Sequence, residues 1–228
     1  MEFFEAVQRR RSVRRFTPTP VPESVMNAAF EAAQLAPNSS NLQTCEFYWV
    51  RSVGRKEKLA EACLSQGAAR TAQELVVVVS RRDLWKRNNS AILEEMRTQG
   101  LHPSVQKYYG KLIPFLYGFA LLTPLKMLMV RIVGLFRPIT KRPVTRRDLD
   151  EVSIKSAALA CENFMLAIAA QGFDTCPMEG FDESRVRKIV GTPGSSRVVM
   201  VIGVGQRDPK GIWGNRFRLP KTWFLKEV

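Results

Sequence analysis

DEVSIKSAALACENFMLAIAAQG, residues 150–172, carries the longest helical pattern in the sequence. Val152, Ile154, Ala157, Ala158, Cys161, Phe164, Met165 and Ile168 recur at helical spacing. They cover so much of the circumference that the helix is expected to be central and buried. Gly172 follows, a residue suited to the left-handed conformation that closes a last turn.

The run Val76-Val77-Val78-Val79 inside Leu75–Ser80 predicts a strand buried on both faces. Glu46–Arg51 and Arg197–Gly203 predict two more strands. Helices are predicted over residues 2–10, with Phe3, Phe4 and Val7 at helical spacing, and around 55–63. Another is predicted from Pro22-Glu23 to Leu35, its apolar face carrying Val25, Met26, Ala29, Phe30, Ala33 and Leu35. Thr17-Pro18-Thr19-Pro20-Val21-Pro22 cannot be helical and reads as an extended connector. Strands that alternate with helices imply an α+β or α/β sandwich on a modest sheet.

The segment from 85 to 147 is an apolar and basic excursion. Its apolar run is interrupted by Lys126 and Arg131, and Pro114 and Pro124 would break a single helix, so it does not read as a membrane span. Two readings stay open. One is a helical cover over the core or a partner subunit. The other is an interfacial segment on an anionic membrane, supported by Lys126, Arg131, Arg137, Lys141, Arg142, Arg146 and Arg147.

Thirty-five Lys and Arg against 21 Asp and Glu give a net charge of +14, a surface that attracts anions. Nucleic acid is disfavoured as that anion, because the arginine-rich start has neither aromatic neighbours nor a reading helix. The four cysteines (Cys45, Cys63, Cys161, Cys176) form no C-x-x-C pair, which suggests reduced thiols and no zinc site. The single His102 reads as a surface residue. The N-terminal residues lack the apolar core of a signal peptide, so a cytoplasmic location is expected, with peripheral attachment to the inner membrane face as a variant.

Four short constellations could carry chemistry. Arg9 to Arg15, with Ser12 inside the run, matches the oxygens of a phosphate; alone it could equally be a solvated basic face. Pro37-Asn38-Ser39-Ser40-Asn41-Leu42-Gln43 is a polar loop whose amides both donate and accept, as the edge of a flavin or pterin ring requires. Cys176-Pro177-Met178-Glu179-Gly180-Phe181 is a turn that could aim backbone N–H groups at a ligand. Arg216-Phe217-Arg218-Leu219-Pro220 is a second cationic cluster. Gly203-Val204-Gly205 lacks the third glycine and the helix of a dinucleotide fingerprint, and a Rossmann site is rejected.

The order R-R-S-x-R, A-P-x-S-x-N-x-Q, P-x-E-G and R-x-R-L-P resembles the FMN-dependent nitroreductase family. The resemblance covers residues 5–80 and 150–220. It implies an α+β sandwich with a central antiparallel-rich sheet flanked by helices, one FMN-binding domain over 1–228, and an intertwined homodimer. It implies that Arg10, Arg11, Ser12 and Arg14 hold the FMN phosphate and ribityl chain with Arg216 and Arg218. Pro37, Asn38, Ser39, Asn41 and Gln43 would form the loop reaching the flavin, Ser39 coming from the partner. Pro177, Met178, Glu179 and Gly180 would form the turn whose N–H bonds flavin N5. No side chain is then catalytic; the flavin carries electrons from NADH or NADPH to a nitroaromatic, quinone or similar small acceptor by a ping-pong route. Alternatives are a membrane-associated reductase of a lipophilic acceptor and a flavin-binding protein without turnover. The loop departs from the family's common Q-P-W with Gln43-Thr44-Cys45, and Gln66 to Arg70 match poorly, Arg70 being a weak flavin-contact candidate.

Overall fold

The computed structural model describes residues 1–100, 102–118, 122–139 and 145–228. Among them four strands, β1 (Cys45–Val50), β2 (Glu74–Ser80), β3 (Asp174–Met178) and β4 (Arg197–Gly205), form one sheet in the order β1-β2-β4-β3. Every neighbouring pair is antiparallel. The valine run of β2 occupies a central position, and its period of two divides the core. Val77 and Val79 join Leu59, Cys63, Met178 and Val201 on one face. Val76 and Val78 join Met26, Phe164, Ile168 and Ile202 on the other.

Helices cover both faces. On the first lie α3 (Val53–Ala62), α4 (Gly67–Thr71) and α10 (Glu183–Val190). On the second lie α2 (Glu23–Gln34) and the long α9 (Arg146–Ala170), with the Phe30 and Phe164 rings 5.2 Å apart between them. Thr145 and Asp148 start α9 through a reciprocal capping box, each side chain bonding the other's backbone N–H. Among the described residues α9 alone is long and apolar enough to cross a membrane, yet half of that stretch is buried inside the fold. It is a core helix.

Several expectations need correction. The burial of α9 is not all-round: Ala158 and Leu159 face outward with Glu151, Lys155 and Glu162, while Val152 and Ile154 are half-buried. Helix α1 (Phe3–Arg9) forms as expected, but Phe3, Phe4 and Val7 are exposed and only Ala6 is buried. Leu35 falls just past α2 and is exposed. Residues 174–178, read as leading into a turn, form the edge strand β3. Proline is tolerated there because an edge strand has one side without ladder partners. Gly203-Val204-Gly205 completes β4.

The excursion is helical: α5 (Trp85–Thr98), α6 (Pro103–Lys107), a π-helical turn Tyr108–Leu112, α7 (Ile113–Tyr117) and α8 (Thr123–Phe136). Pro124 sits in the first turn of α8, where the missing N–H costs nothing, while Pro114 directly follows the π-helical turn inside one continuous helical run from Pro103 to Tyr117. Leu42, Tyr109 and Ile113 form a small satellite core with Trp85, Ile92 and Leu93 around it. Lys126 does not break the apolar surface as its position suggested: it is buried, with Nζ donating to the Gly118 carbonyl. Phe119 to Leu121, Lys141 and Arg142 lie outside the described residues.

Candidate functional site

The arginine-rich start runs as an extended strip past the outer edge of β3. Ser12 makes a parallel bridge to Thr175, and Val13 N–H donates to the Thr175 carbonyl at 3.0 Å. Val13 and Phe16 are buried in the core, while Ser12 and Arg14 are half-buried and Arg15 is exposed. Arg14 N–H donates to the Gly211 carbonyl at 2.7 Å, and Thr17 N–H to the Gln206 carbonyl at 2.8 Å. Glycine is required at 211, since a Cβ there would stand 2.3 Å from the Arg15 carbonyl oxygen. The C-terminal segment is thereby laid against the N-terminal one, and two distant cationic clusters meet.

Arg10, Arg11, Ser12, Arg14, Trp213 and Arg218 line one cleft of about 250 Å3. Arg14 sits 5.6 Å over the Trp213 ring and donates to Cys176 Sγ at 3.6 Å. Arg11 is held by the Gly214 carbonyl at 3.0 Å, and Arg10 approaches the Glu162 carboxylate of α9 at 3.7 Å. Arg216 does not line the cleft. Its guanidinium donates to the carbonyls of Gln8 and Arg10 and braces the strip from behind. Burial, then the neighbouring positive charges of Arg11, Arg218 and Arg10, make the Arg216 proton easier to lose than usual. Such a like-charge cluster is stabilised by a dianion held between its members.

The Pro177–Gly180 turn begins where β3 ends, next to that strip. Pro177 and Met178 close the strand; Glu179 and Gly180 are exposed. No protein acceptor for the Glu179 or Gly180 N–H occurs among the described turn and side-chain hydrogen bonds. The turn is held from below by Gln66, whose amide donates to the Gly180 carbonyl at 2.8 Å and to the Cys63 carbonyl at 3.0 Å. Gln66 precedes α4, whose first residue Gly67 packs against the Arg14 carbonyl. Neither Gln66 nor Trp213 stood out in the sequence. Arg70 lies in a different groove, with Lys56, Glu57 and Glu61.

The Pro37–Gln43 loop stands apart from this cleft in a single chain. Ser39 N–H donates to Ser156 Oγ of α9 at 3.2 Å, and Gln43 N–H to Asn38 Oδ1 at 2.9 Å. On its far side the Ser40 hydroxyl meets the Tyr108 hydroxyl at 2.7 Å, and Asn88 donates to the Leu42 carbonyl at 2.8 Å. Ser40, Asn41 and Gln43 all adopt left-handed backbone, at φ 56°, 49° and 49°. Each such non-glycine residue stores about 1–3 kcal/mol of strain, a concentration typical of functional loops. The residues of Pro37, Ser39, Asn41 and Gln43 are exposed, and Asn38 and Gln43 border a separate cavity of about 370 Å3 with Phe30, Phe47, Trp49 and Cys45.

An antiparallel sheet between helical layers, with a cationic cleft near its edge strand β3, defines an α+β protein whose cleft has the charge to attract an anion. A model of the Nitroreductase family matches residues 7–206, and the chain belongs to that family. It is 26% identical to MhqN of Bacillus subtilis, covering 99% of this chain and 98% of that one. It is 28% identical to a protein of Thermus thermophilus named NADH dehydrogenase, covering 95% and 92%. The fold matches a nitroreductase-type crystal structure of Bacillus subtilis, ydfN, with a TM-score of 0.77 at 24% identity over 99% and 98% of the two chains. It also matches a structure from Exiguobacterium sibiricum solved in complex with FMN, with a TM-score of 0.74 at 22% identity over 100% and 98%.

Proposed function

We propose that the chain is an NAD(P)H-dependent oxidoreductase that holds FMN in the arginine cleft and passes electrons to a small nitroaromatic, quinone or similar acceptor. The observation that carries this is the convergence of Arg10, Arg11, Ser12, Arg14 and Arg218 on one cleft, with Ser12 and Arg14 tied to Thr175 and Cys176 of β3, the strand that leads into the Pro177–Gly180 turn. A donor set of guanidinium forks with one hydroxyl fits a phosphate dianion. At about 250 Å3 the cleft lies below the roughly 300–1,000 Å3 of pockets for whole ligands, so it takes the phosphate end rather than the entire mononucleotide.

FMN held there would supply the hydride-transfer chemistry between NADH or NADPH and the acceptor, in a ping-pong sequence on this reading. The chain's own groups do the rest. Arg10, Arg11, Ser12, Arg14 and Arg218 bind the phosphate, and Arg216 keeps the strip in register. The Glu179 and Gly180 N–H groups, on a turn held by Gln66, would be the donors available to the flavin ring at N5. No side chain needs to act as acid or base.

The functional unit in this reading is a homodimer in which Ser39, Asn41 and Gln43 complete the partner's cleft. In support, Ser39, Asn41 and Gln43 are exposed away from their own cleft, Asn41 and Gln43 on left-handed backbone, and the C-terminal segment leaves Phe217, Leu219, Trp223 and Phe224 uncovered by its own chain. Residues 1–228 act as one FMN-binding domain carrying the excursion at 85–147, on the cytoplasmic side. Stripping the protein and adding back FMN tests the reading: a bound-flavin absorption spectrum is expected, and its absence would overturn it.

A further inference from the structure

We propose that the outer face of α8 is an in-plane anchor that seats this protein on an anionic membrane surface. The proposal does not depend on FMN or on the acceptor. It starts from a helix that is apolar on two opposite sides. Val130 and Val133 are half-buried toward the protein. On the far side Leu125, Leu128, Met129, Ile132, Leu135 and Phe136 are between 42% and 84% exposed. At 3.6 residues per turn those six fall within an arc of roughly 120°. A helix apolar all round belongs in a core or in lipid, and an exposed stripe of this kind marks an interaction surface.

The one cation placed to spoil the stripe is turned away from it. Lys126 is buried, donates to the Gly118 carbonyl and stands 5.2 Å from the Phe115 ring. Burial lowers its affinity for the proton. Arg131 and Arg137 remain exposed, one at the margin of the stripe and one at its end.

Charge selects the occupant. Residues 96–147 contain ten Lys and Arg and no Asp or Glu, while the whole chain carries +14. A second copy of this face would bring the same sign of charge against it. An apolar stripe bordered by cations is the pattern of interfacial helices on anionic lipid. Length settles the orientation: 14 residues span about 21 Å, short of the roughly 30 Å hydrocarbon core, so α8 lies in the plane rather than across it.

The test is co-sedimentation of the FMN-loaded full chain with vesicles of phosphatidylcholine alone or of equal parts phosphatidylcholine and phosphatidylglycerol. Binding to the anionic vesicles is expected, at least about tenfold tighter than to neutral ones and weakened by salt. Leu128→Glu with Ile132→Glu should reduce that binding at least about tenfold, while the flavin spectrum and oligomeric mass stay unchanged. Arg131→Gln with Arg137→Gln, which leaves the apolar stripe intact, should weaken only the preference for anionic lipid. Equal affinity for both vesicles, no binding at all, or binding that survives the double Glu substitution would overturn the proposal. So would a drop in oligomeric mass in the double Glu variant, which would make the face a contact between copies.

Discussion

Arg14 Nη1 donates to Cys176 Sγ across 3.6 Å, linking residue 14 to a strand 162 positions away in the chain. The same guanidinium lies over Trp213 and lines the cationic cleft. One side chain therefore touches the N-terminal strip, the edge strand that leads to the Pro177–Gly180 turn, and the C-terminal segment.

Replacing it should weaken FMN binding without unfolding the protein. A hydrogen bond to a charged group contributes about 1.5–3 kcal/mol. Arg14→Ala is therefore expected to raise the FMN Kd by roughly 10- to 100-fold. Arg14→Lys keeps the charge but loses the planar fork and should fall between. Flavin fluorescence quenching during titration measures both.

A Cβ on Gly67 would meet the Arg14 carbonyl oxygen at 2.9 Å, and the obstacle is backbone rather than a yielding side chain. Gly67→Ala should cost about 1–3 kcal/mol through overpacking. For a chain of this size that lowers Tm by about 2–4 °C per kcal/mol. FMN affinity should fall with it, because the displaced atom belongs to the phosphate strip. Thermal melts and flavin titration of the same variant check the two effects together.

The core helix, the doubly buried valine strand and the arginine segment are legible in the sequence because each rests on a local pattern. Periodicity reports Phe164 and Val76–Val79, and the guanidinium fork reports Arg10 to Arg14. β3 was not readable: Asp174-Thr175-Cys176-Pro177-Met178 has no alternation and contains a proline, and it is a strand only because β4 lies beside it. Gln66 and Trp213 were silent for a related reason. Each reaches its partner across more than a hundred residues, and nothing local marks a glutamine that will hold Gly180. Lys126 misled in the opposite direction, since a charge in an apolar run does not say which way its helix will turn it.

Burial pushes the thiols of Cys63 and Cys161 up to about 12. The folded state thus holds these protons more tightly than the unfolded chain, whose thiols titrate near 9. Their contribution to stability is complete below that value and is lost as pH rises toward 12. Chemical denaturation should show stability falling across this alkaline window. Alkylation with iodoacetamide at pH 8 should leave Cys63 and Cys161 unmodified until the protein is denatured.

Phe164 is fully buried between α2, α9 and the sheet, within 6 Å of the Phe30 and Phe47 rings. Phe164→Ala should destabilise by about 3–5 kcal/mol, the transfer and cavity costs of a large core side chain. Denaturant unfolding would show it as a lower midpoint with little change in slope.

The most direct test of the central claim is an anaerobic titration of the FMN-reconstituted protein with NADH or NADPH, followed by a quinone or nitroaromatic. The flavin absorption is expected to bleach with one equivalent of the reductant and to return when the acceptor is added. A flavin band that stays unchanged with both nicotinamides would contradict it.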